Sequence, residues 1–106
     1  VDIARIANAT AKLLECDLEL SPLDILSSDE YIGDRYGVLT QEGRDALKLV
    51  AETEGIFLDP VYTSKAMAGM IDQIRKGIIT KNETVVIIHT GGLPALFAYA
   101  EDLMLS

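Results

Sequence analysis

Two polar segments carry side chains that could bind a ligand or take part in chemistry. The first is the turn Thr90-Gly91-Gly92, which is separated by one residue, His89, from a β-branched run at residues 84–88. In open α/β sheets, ligands bind beyond the C-terminal ends of the strands. The glycines allow close approach to the backbone, and the Thr90 hydroxyl suits a partner such as the nitrogen of a heterocyclic ring. Glycine is also common in strand-to-helix turns without a ligand, so spacing alone leaves both interpretations open.

The second segment covers residues 59–65 and contains one phenol and two hydroxyls, those of Tyr62, Thr63 and Ser64. The pattern places them on the first turn of a helix, whose N-terminal end carries partial positive charge. An anionic ligand could therefore bind there. The alternative is an ordinary capped helix with Tyr62 half-buried, and the residues alone do not exclude it.

Other residue types favour no further site. His89 is the only histidine and ends an apolar run, so a hydrogen-bonded structural role is favoured over a base or a metal ligand. Cys16 is the only cysteine and lacks neighbours at metal-ligand spacing, which predicts a small buried hydrophobic residue and no metal site. The glycine-rich fingerprints of dinucleotide and phosphate-loop proteins do not occur.

Charge and hydropathy exclude two classes of partner. The net charge is -8, and the nine lysines and arginines are scattered along the chain, which argues against nucleic-acid binding. The longest uncharged apolar stretch, residues 84–100, contains His89, two glycines and Pro94, which argues against a membrane span. No secretion signal is recognisable and the first residue is Val1, so we expect a cytoplasmic parent protein within which this chain begins.

The elements that must position these residues can be read from apolar periodicity and capping signals. Residues 2–15 predict a first helix with Asp2 as N-cap, and residues 17–40 predict a loop, with a brief strand as an option. Thr40 is the predicted N-cap of a second helix that ends at Gly55. Within the loop, residues 31–38 are expected to be exposed or to face a ligand. The predicted inner faces are Ile3, Ile6, Ala7, Leu13 and Leu14 in the first helix, and Ala46, Leu47, Val50 and Ala51 in the second.

The second half of the chain predicts a helix, a strand, a turn and another helix. Asp59 is the expected cap of a third helix from Pro60 to about Lys76, with Met67, Met70, Ile71 and Ile74 on its inner face. Residues 84–88 predict a central parallel strand, and a fourth helix is expected from residue 93 toward the C-terminus. One parallel strand cannot form a sheet alone, so the remaining strands are expected from elsewhere in a longer protein.

Residues 54–70, with the core Asp59-Pro60-Val61-Tyr62-Thr63, and residues 88–97, with the turn His89-Thr90-Gly91-Gly92, resemble the D-cysteine desulfhydrase and 1-aminocyclopropane-1-carboxylate deaminase family. The similarity extends upstream through residues 31–43, so it covers nearly all of this chain but only the C-terminal portion of the family's length. The resemblance implies an α/β enzyme of the tryptophan synthase β-like type, fold type II, with helices packed on a few parallel strands.

The resemblance also implies roles for individual residues. The cofactor would be pyridoxal 5'-phosphate, and residues 1–106 would form the C-terminal segment of the large cofactor-binding domain. Tyr62 would approach the substrate, Thr63 would lie near the pyridine ring, and Thr90, followed by Gly91, would contact the ring nitrogen. The Schiff-base lysine and the phosphate-binding loop of the family lie in the N-terminal portion, which this chain lacks. Lys65 is expected to make a structural or surface contact.

The implied activity is that of a lyase or deaminase acting on a small amino acid. The deaminase branch carries glutamate after the motif tyrosine, whereas this chain has Thr63, so conversion of D-cysteine to pyruvate, sulfide and ammonia is the favoured reaction. Deamination of 1-aminocyclopropane-1-carboxylate is the alternative. A third hypothesis is a non-catalytic fragment that associates with the missing N-terminal part. The expected partners are a small amino-acid substrate, that N-terminal part and a second copy in a homodimer.

Overall fold

The computed structural model describes residues 1–104 and shows a helical chain joined by irregular segments. Its α-helices are α1 (Asp2–Leu13), α2 (Gln41–Glu54), α3 (Thr63–Arg75), α4 (Ala95–Ala98) and α5 (Ala100–Met104), with a short 3-10 helix at Pro22–Asp24. The α2 and α3 pair forms the main packing interface. No helix in the described part of the chain is long and apolar enough to cross a membrane.

Helix α2 forms as its end signals predict. The Thr40 hydroxyl accepts a hydrogen bond from the Gly43 amide at 3.1 Å, which satisfies one of the unpaired amides of the first turn. Gly55 ends the helix in the left-handed conformation with φ of 66°, a backbone geometry that glycine adopts without a steric penalty. Both predicted boundaries of this helix are confirmed.

The apolar core lies between α2 and α3. Its fully buried members are Ala46, Val50, Leu58, Met67 and Ala68, and partly buried Leu47, Met70 and Ile71 pack against them. The inner faces predicted for these two helices are thus largely correct, except that Ile74 is exposed. Small residues at the contact allow the two helices to approach closely, so that this pair forms the frame on which the neighbouring loops rest.

Helix α1 departs from its predicted boundaries and inner face. It ends at Leu13 and is preceded by Val1 as N-cap, so Asp2 is the first helical residue and not the cap. The buried residues are Ala4 and Ala11. The face predicted to be internal is not: Ile3, Ile6, Leu13 and Leu14 are exposed and Ala7 is half-buried. Cys16 is also exposed, contrary to expectation. The described chain supplies no element that covers this face.

The loop from 17 to 40 contains the 3-10 helix and no strand within the described residues. Ser21 and Asp24 cap that helix reciprocally: the Ser21 hydroxyl accepts from the Leu23 amide, and the Asp24 carboxylate accepts from the Ser21 amide. The Asn8 side chain of α1 both donates to and accepts from the backbone of Leu20 at 2.8 Å. These bonds fix the start of the loop to α1.

The strand predicted at residues 84–88 is not formed in the described chain, which contains no β-strand at all between residues 1 and 104. The physical reason is that a strand requires a neighbouring strand for its backbone hydrogen bonds, and the described residues supply none. Val86 and Ile88 are 81% and 78% exposed, although their types suit a buried strand. The helical part of the expected fold is confirmed, and the packing of helices on parallel strands is not.

The last two predicted helices also differ in detail. Residues 60–62 form a turn and regular α3 begins at Thr63, so the predicted start at Pro60 is three residues too early. The fourth predicted helix is broken at Tyr99 into α4 and α5. The hydroxyl of Tyr99 donates a hydrogen bond to the carbonyl of Gly37, which ties this break to the loop before α2. The predicted continuation over residues 105 and 106 lies outside the described residues.

Candidate functional site

Asp59 organises the turn that precedes α3. This aspartate is 1% exposed. One of its carboxylate oxygens accepts from the amides of Val61 and Tyr62 at 2.8 and 2.9 Å. The other accepts from the amide of Thr63 at 2.8 Å and from its hydroxyl at 2.7 Å. The prediction that Asp59 is the N-cap of α3 is wrong, because Tyr62 holds that position without a side-chain cap. The Asp59 carboxylate nevertheless satisfies three consecutive amides, those of the turn and of the first helical residue.

The environment of Asp59 keeps its carboxylate ionised. Burial is the largest single influence and opposes ionisation, but the hydrogen bonds from Thr63, Tyr62 and Val61 together outweigh it and lower the pKa below the usual aspartate value. A buried negative charge thus lies directly beneath the Tyr62 and Thr63 amides. Its charge is neutralised locally by amide dipoles and not by a basic side chain.

The hydroxyl of Thr63 is committed to Asp59. It donates to the Asp59 carboxylate and accepts from the Asp59 amide, both at 2.7 Å, and the residue is buried. A hydroxyl has one proton and two lone pairs. Thr63 therefore retains one lone pair toward any ligand, and in this arrangement it can accept a hydrogen bond but cannot donate one.

The glycine-rich turn is fixed by His89. The His89 ring accepts from the Gly91 amide at 3.0 Å through Nδ1, and its Nε2 lies 2.8 Å from the carbonyl of Phe57. This pairing requires a neutral imidazole with its proton on Nε2. The structural role predicted for His89 is confirmed, since both ring nitrogens bond to backbone groups. Thr90 is exposed and its neighbour Gly91 is half-buried.

The two polar segments meet at Asp59. A Cβ atom built on Gly92 would lie 2.8 Å from Cβ and 2.9 Å from Cγ of Asp59, so only glycine fits at this contact. The same construction on Gly91 finds no atom within 4 Å, which leaves that side of the turn open. Both glycines have positive φ, 88° and 90°. The turn is therefore pressed against the start of α3 through Gly92, while Gly91 presents open backbone.

Tyr62 pairs with a second tyrosine that the sequence did not single out. The hydroxyls of Tyr36 and Tyr62 are 2.7 Å apart, and their ring centroids are separated by 5.9 Å at an interplanar angle of 59°. Tyr62 is 58% exposed. The hydrogen bond with Tyr36, followed by partial desolvation and the nearby charge of Asp59, raises the pKa of the Tyr62 phenol. At neutral pH the phenol is therefore protonated and can donate a proton or a hydrogen bond.

The tyrosine pair lines a cavity of about 820 Å³ between the loop before α2, one face of α3 from residue 65 to residue 73, and residues 85–87. Tyr36, Tyr62 and Lys65 belong to its wall, whereas Thr63, Thr90 and Gly91 do not. A second cavity of about 390 Å³ lies between α2 and α3 and contains none of the predicted site residues. The structure thus unites Tyr62 with Tyr36 in one cavity and joins the Thr63 and Thr90 segments through Asp59 and Gly92. Among residues 1–104, no cluster of three metal-ligating side chains occurs.

Comparison with known proteins assigns a family to this arrangement. The family described as pyridoxal-phosphate dependent enzyme matches residues 1–91, which include Tyr62, Thr63, Thr90 and Gly91. This chain belongs to the pyridoxal-phosphate dependent enzyme family. A crystal structure of an ACC deaminase homologue has 37% sequence identity and a TM-score of 0.72 over 92% of this chain. The match covers 28% of that structure's own chain, so the present chain spans less than a third of its length.

The family implies pyridoxal phosphate as cofactor, and the residues of the glycine-rich turn fit one part of it. Thr90 offers an exposed hydroxyl whose proton is not committed elsewhere by any hydrogen bond in the described structure, and the open side of Gly91 admits a flat ring. Lys65, by contrast, is buried and donates to the carbonyl of Ile32 at 2.6 Å. This agrees with the structural contact expected of Lys65. The free hydroxyl of Thr90 and the open backbone at Gly91 are compatible with the ring of the cofactor.

Tyr36 and the double role of Asp59 are the functional features that sequence reasoning missed. The segment 31–38 is expected from its residues to be exposed or to face a ligand, and Tyr36 does line the cavity. Its pairing with Tyr62 joins residues 26 positions apart in sequence, which no periodicity reports. A cap residue is recognisable locally, but the contact of Asp59 with Gly92 depends on tertiary packing.

Proposed function

We propose that this chain is the C-terminal part of a pyridoxal-phosphate dependent lyase that acts on a small amino acid, with D-cysteine as substrate and pyruvate, sulfide and ammonia as products. Residues 1–106 contribute one wall of the pocket within the large cofactor domain. The rest of the enzyme, including the attachment lysine and the phosphate-binding loop, is the proposed partner of this chain. A homodimer and a cytoplasmic location complete the proposal.

The observation that carries this proposal is the contact between Gly92 and Asp59. It brings the turn proposed to face the cofactor ring against the turn that bears the tyrosine proposed to face the substrate. Asp59 holds the amides of Tyr62 and Thr63, while its Cβ packs against Gly92. Two segments that are about thirty residues apart are therefore held in direct contact at this junction.

On the two sides of this junction each residue has a distinct proposed task. When bound, the cofactor supplies electron withdrawal from the reacting carbon. Thr90 would face the ring nitrogen with a hydroxyl that can still donate, whereas Thr63 can only accept. Tyr62, protonated at neutral pH, would hold a proton at its phenolic oxygen near the substrate, and Tyr36 would fix the direction of that oxygen through their hydrogen bond.

Deamination of 1-aminocyclopropane-1-carboxylate is the second candidate. The structural similarity to an ACC deaminase homologue supports it. Against it stands Thr63, since the hydroxyl bonded to Asp59 offers no negative charge of its own toward a ring nitrogen. A more strongly activated ring suits the opening of a cyclopropane, whereas hydrosulfide leaves more readily.

The test uses the full-length enzyme that contains this chain, loaded with pyridoxal phosphate. D-cysteine is supplied and sulfide and pyruvate are measured; in parallel, 1-aminocyclopropane-1-carboxylate is supplied and 2-oxobutanoate is measured. Sulfide and pyruvate in equal amounts support the proposal, and 2-oxobutanoate alone supports the second candidate. Tyr62→Phe should lower kcat by about 10²-fold, the usual effect of losing a proton-transferring group. Turnover of neither substrate would refute both assignments.

A further inference from the structure

Lys65 is a buried cation without an acidic partner. It is 8% exposed, and its ammonium donates to the carbonyl of Ile32 at 2.6 Å. Among residues 1–104, the ion pairs within 4.0 Å are Arg5 with Asp2 and Lys76 with Asp72, so no carboxylate neutralises Lys65. Lysines usually extend their ammonium into solvent because burying the charge is costly. An apolar side chain of similar length would fill the same space without that cost.

The hydrogen bond that Lys65 makes is one of three contacts that attach the loop before α2 to a single face of α3. The ring of Tyr31 lies so close to Gly69 that an added Cβ would be 2.9 Å from it. The hydroxyl of Tyr31 donates to Asp72 at 2.7 Å. Residues 65, 69 and 72 are four and three positions apart, which is the spacing of one helical face. The loop therefore runs along α3 from Asp72 toward the start of the helix.

Where the loop reaches the start of α3, the Tyr36 hydroxyl lies in hydrogen-bond contact with the Tyr62 hydroxyl. Ile32 is four residues before Tyr36, and Lys65 is three residues after Tyr62. Of the three contacts between this loop and α3, the hydrogen bond between Lys65 and Ile32 is therefore the one nearest to the tyrosine pair. All four residues line the same cavity. On the other side of Tyr36, the Tyr99 hydroxyl holds the carbonyl of Gly37.

We propose that Lys65 is a positioning residue, whose ammonium holds Ile32 so that the Tyr36 hydroxyl stays in hydrogen-bond contact with Tyr62. The role of this contact in turnover rests on the proposed function, but the contact itself does not. Lys65 would act through the loop, because its ammonium is bonded to the Ile32 carbonyl. The proposed role depends on the hydrogen bond that Lys65 donates and on the length of its side chain, which reaches the Ile32 carbonyl. It does not depend on an electrostatic effect of the Lys65 charge on the phenols.

The test measures the titration of Tyr62 by NMR in the chain carrying tyrosine labelled with ¹³C at Cζ. Loss of the Lys65 charge alone would raise the pKa of a nearby phenol or leave it unchanged. Release of the loop would instead remove the hydrogen bond from Tyr36 and thereby lower the pKa of Tyr62. We therefore expect Lys65→Met to shift the Tyr62 titration downward. Lys48→Met, which removes an exposed lysine of α2, should not shift it.

A double-mutant comparison tests whether Lys65 affects the Tyr62 pKa through Tyr36. In a Tyr36→Phe background the hydrogen bond is already absent, so adding Lys65→Met should produce no further downward shift. The proposal would be overturned if Lys65→Met raised the Tyr62 pKa or left it unchanged. It would also be overturned if Lys65→Met lowered that pKa equally in the Tyr36→Phe background, or if Lys65→Met lost helicity and Tyr36→Phe did not. Because these readings need no turnover, an enzyme inactive on both substrates would refute the proposed function and leave this inference standing.

Discussion

Replacing Asp59 with asparagine tests whether one buried carboxylate builds the junction of the site. Asparagine keeps one acceptor oxygen and places an NH₂ group where the second oxygen of Asp59 accepts from the amides of Val61 and Tyr62. Two amides thereby lose their acceptor. At about 1 kcal/mol for each partly exposed amide, the expected loss is about 2 kcal/mol, at the upper end of measured capping effects.

The pH dependence gives an independent check on this magnitude. The pKa of Asp59 is lowered on folding. Its contribution to stability is therefore complete above the ordinary aspartate pKa of about 4 and is lost as the pH falls through the lowered pKa of the folded state. The asparagine side chain of the variant cannot titrate, so the difference in unfolding free energy between Asp59→Asn and the parent chain should be largest near neutral pH and should shrink in acid.

The assay is urea-induced unfolding followed by circular dichroism at neutral and acidic pH. Asp45→Asn is the matched control, because Asp45 is exposed and bonds only to the Gln41 side chain, at 2.8 Å. This control should change stability by less than about 0.5 kcal/mol. A loss at neutral pH no larger than the control's, or a loss that persists undiminished in acid, would show that the Asp59 carboxylate does not organise the turn.

Three further outcomes are expected. Gly92→Ala should destabilise the chain more than Gly91→Ala, as measured by urea unfolding, because both have positive φ but only Gly92 abuts Asp59; equal effects would contradict that contact. Ser64→Ala should raise the free energy of unfolding by about 1 kcal/mol, since the Ser64 hydroxyl is fully buried without a hydrogen-bond partner; a loss of stability would reveal a partner. Pyridoxal phosphate added to this chain alone should give no lysine-dependent absorbance band, and its appearance would disprove the absence of an attachment lysine.

Local signals predicted the parts of this fold that local interactions build. The Thr40 cap and the Gly55 terminus each act within a few residues, and each is found as expected. Asp59 also bonds locally, but to the turn before α3 and not as the predicted N-cap. The run at residues 84–88 failed for the opposite reason, since strand formation depends on a neighbour that the described chain does not supply. Likewise, the pairing of Tyr36 with Tyr62 depends on how a loop lies along α3, and residue types alone do not specify that path.

The difference between local and long-range contacts also explains which apolar residues of the chain are buried and which are exposed. Helices α2 and α3 bury their shared face and hold Asp59, Tyr62 and Lys65 in defined contacts. The outer face of α1 and the run at residues 84–88 remain exposed and apolar. Exposed apolar patches of this kind mark contact sites, and we propose that the remainder of a longer protein covers them, which the match to only 28% of a solved structure supports. The contacts that build the junction at Asp59 all lie within the described residues, whereas the substrate pocket proposed beside Tyr62 would be completed by the rest of the enzyme.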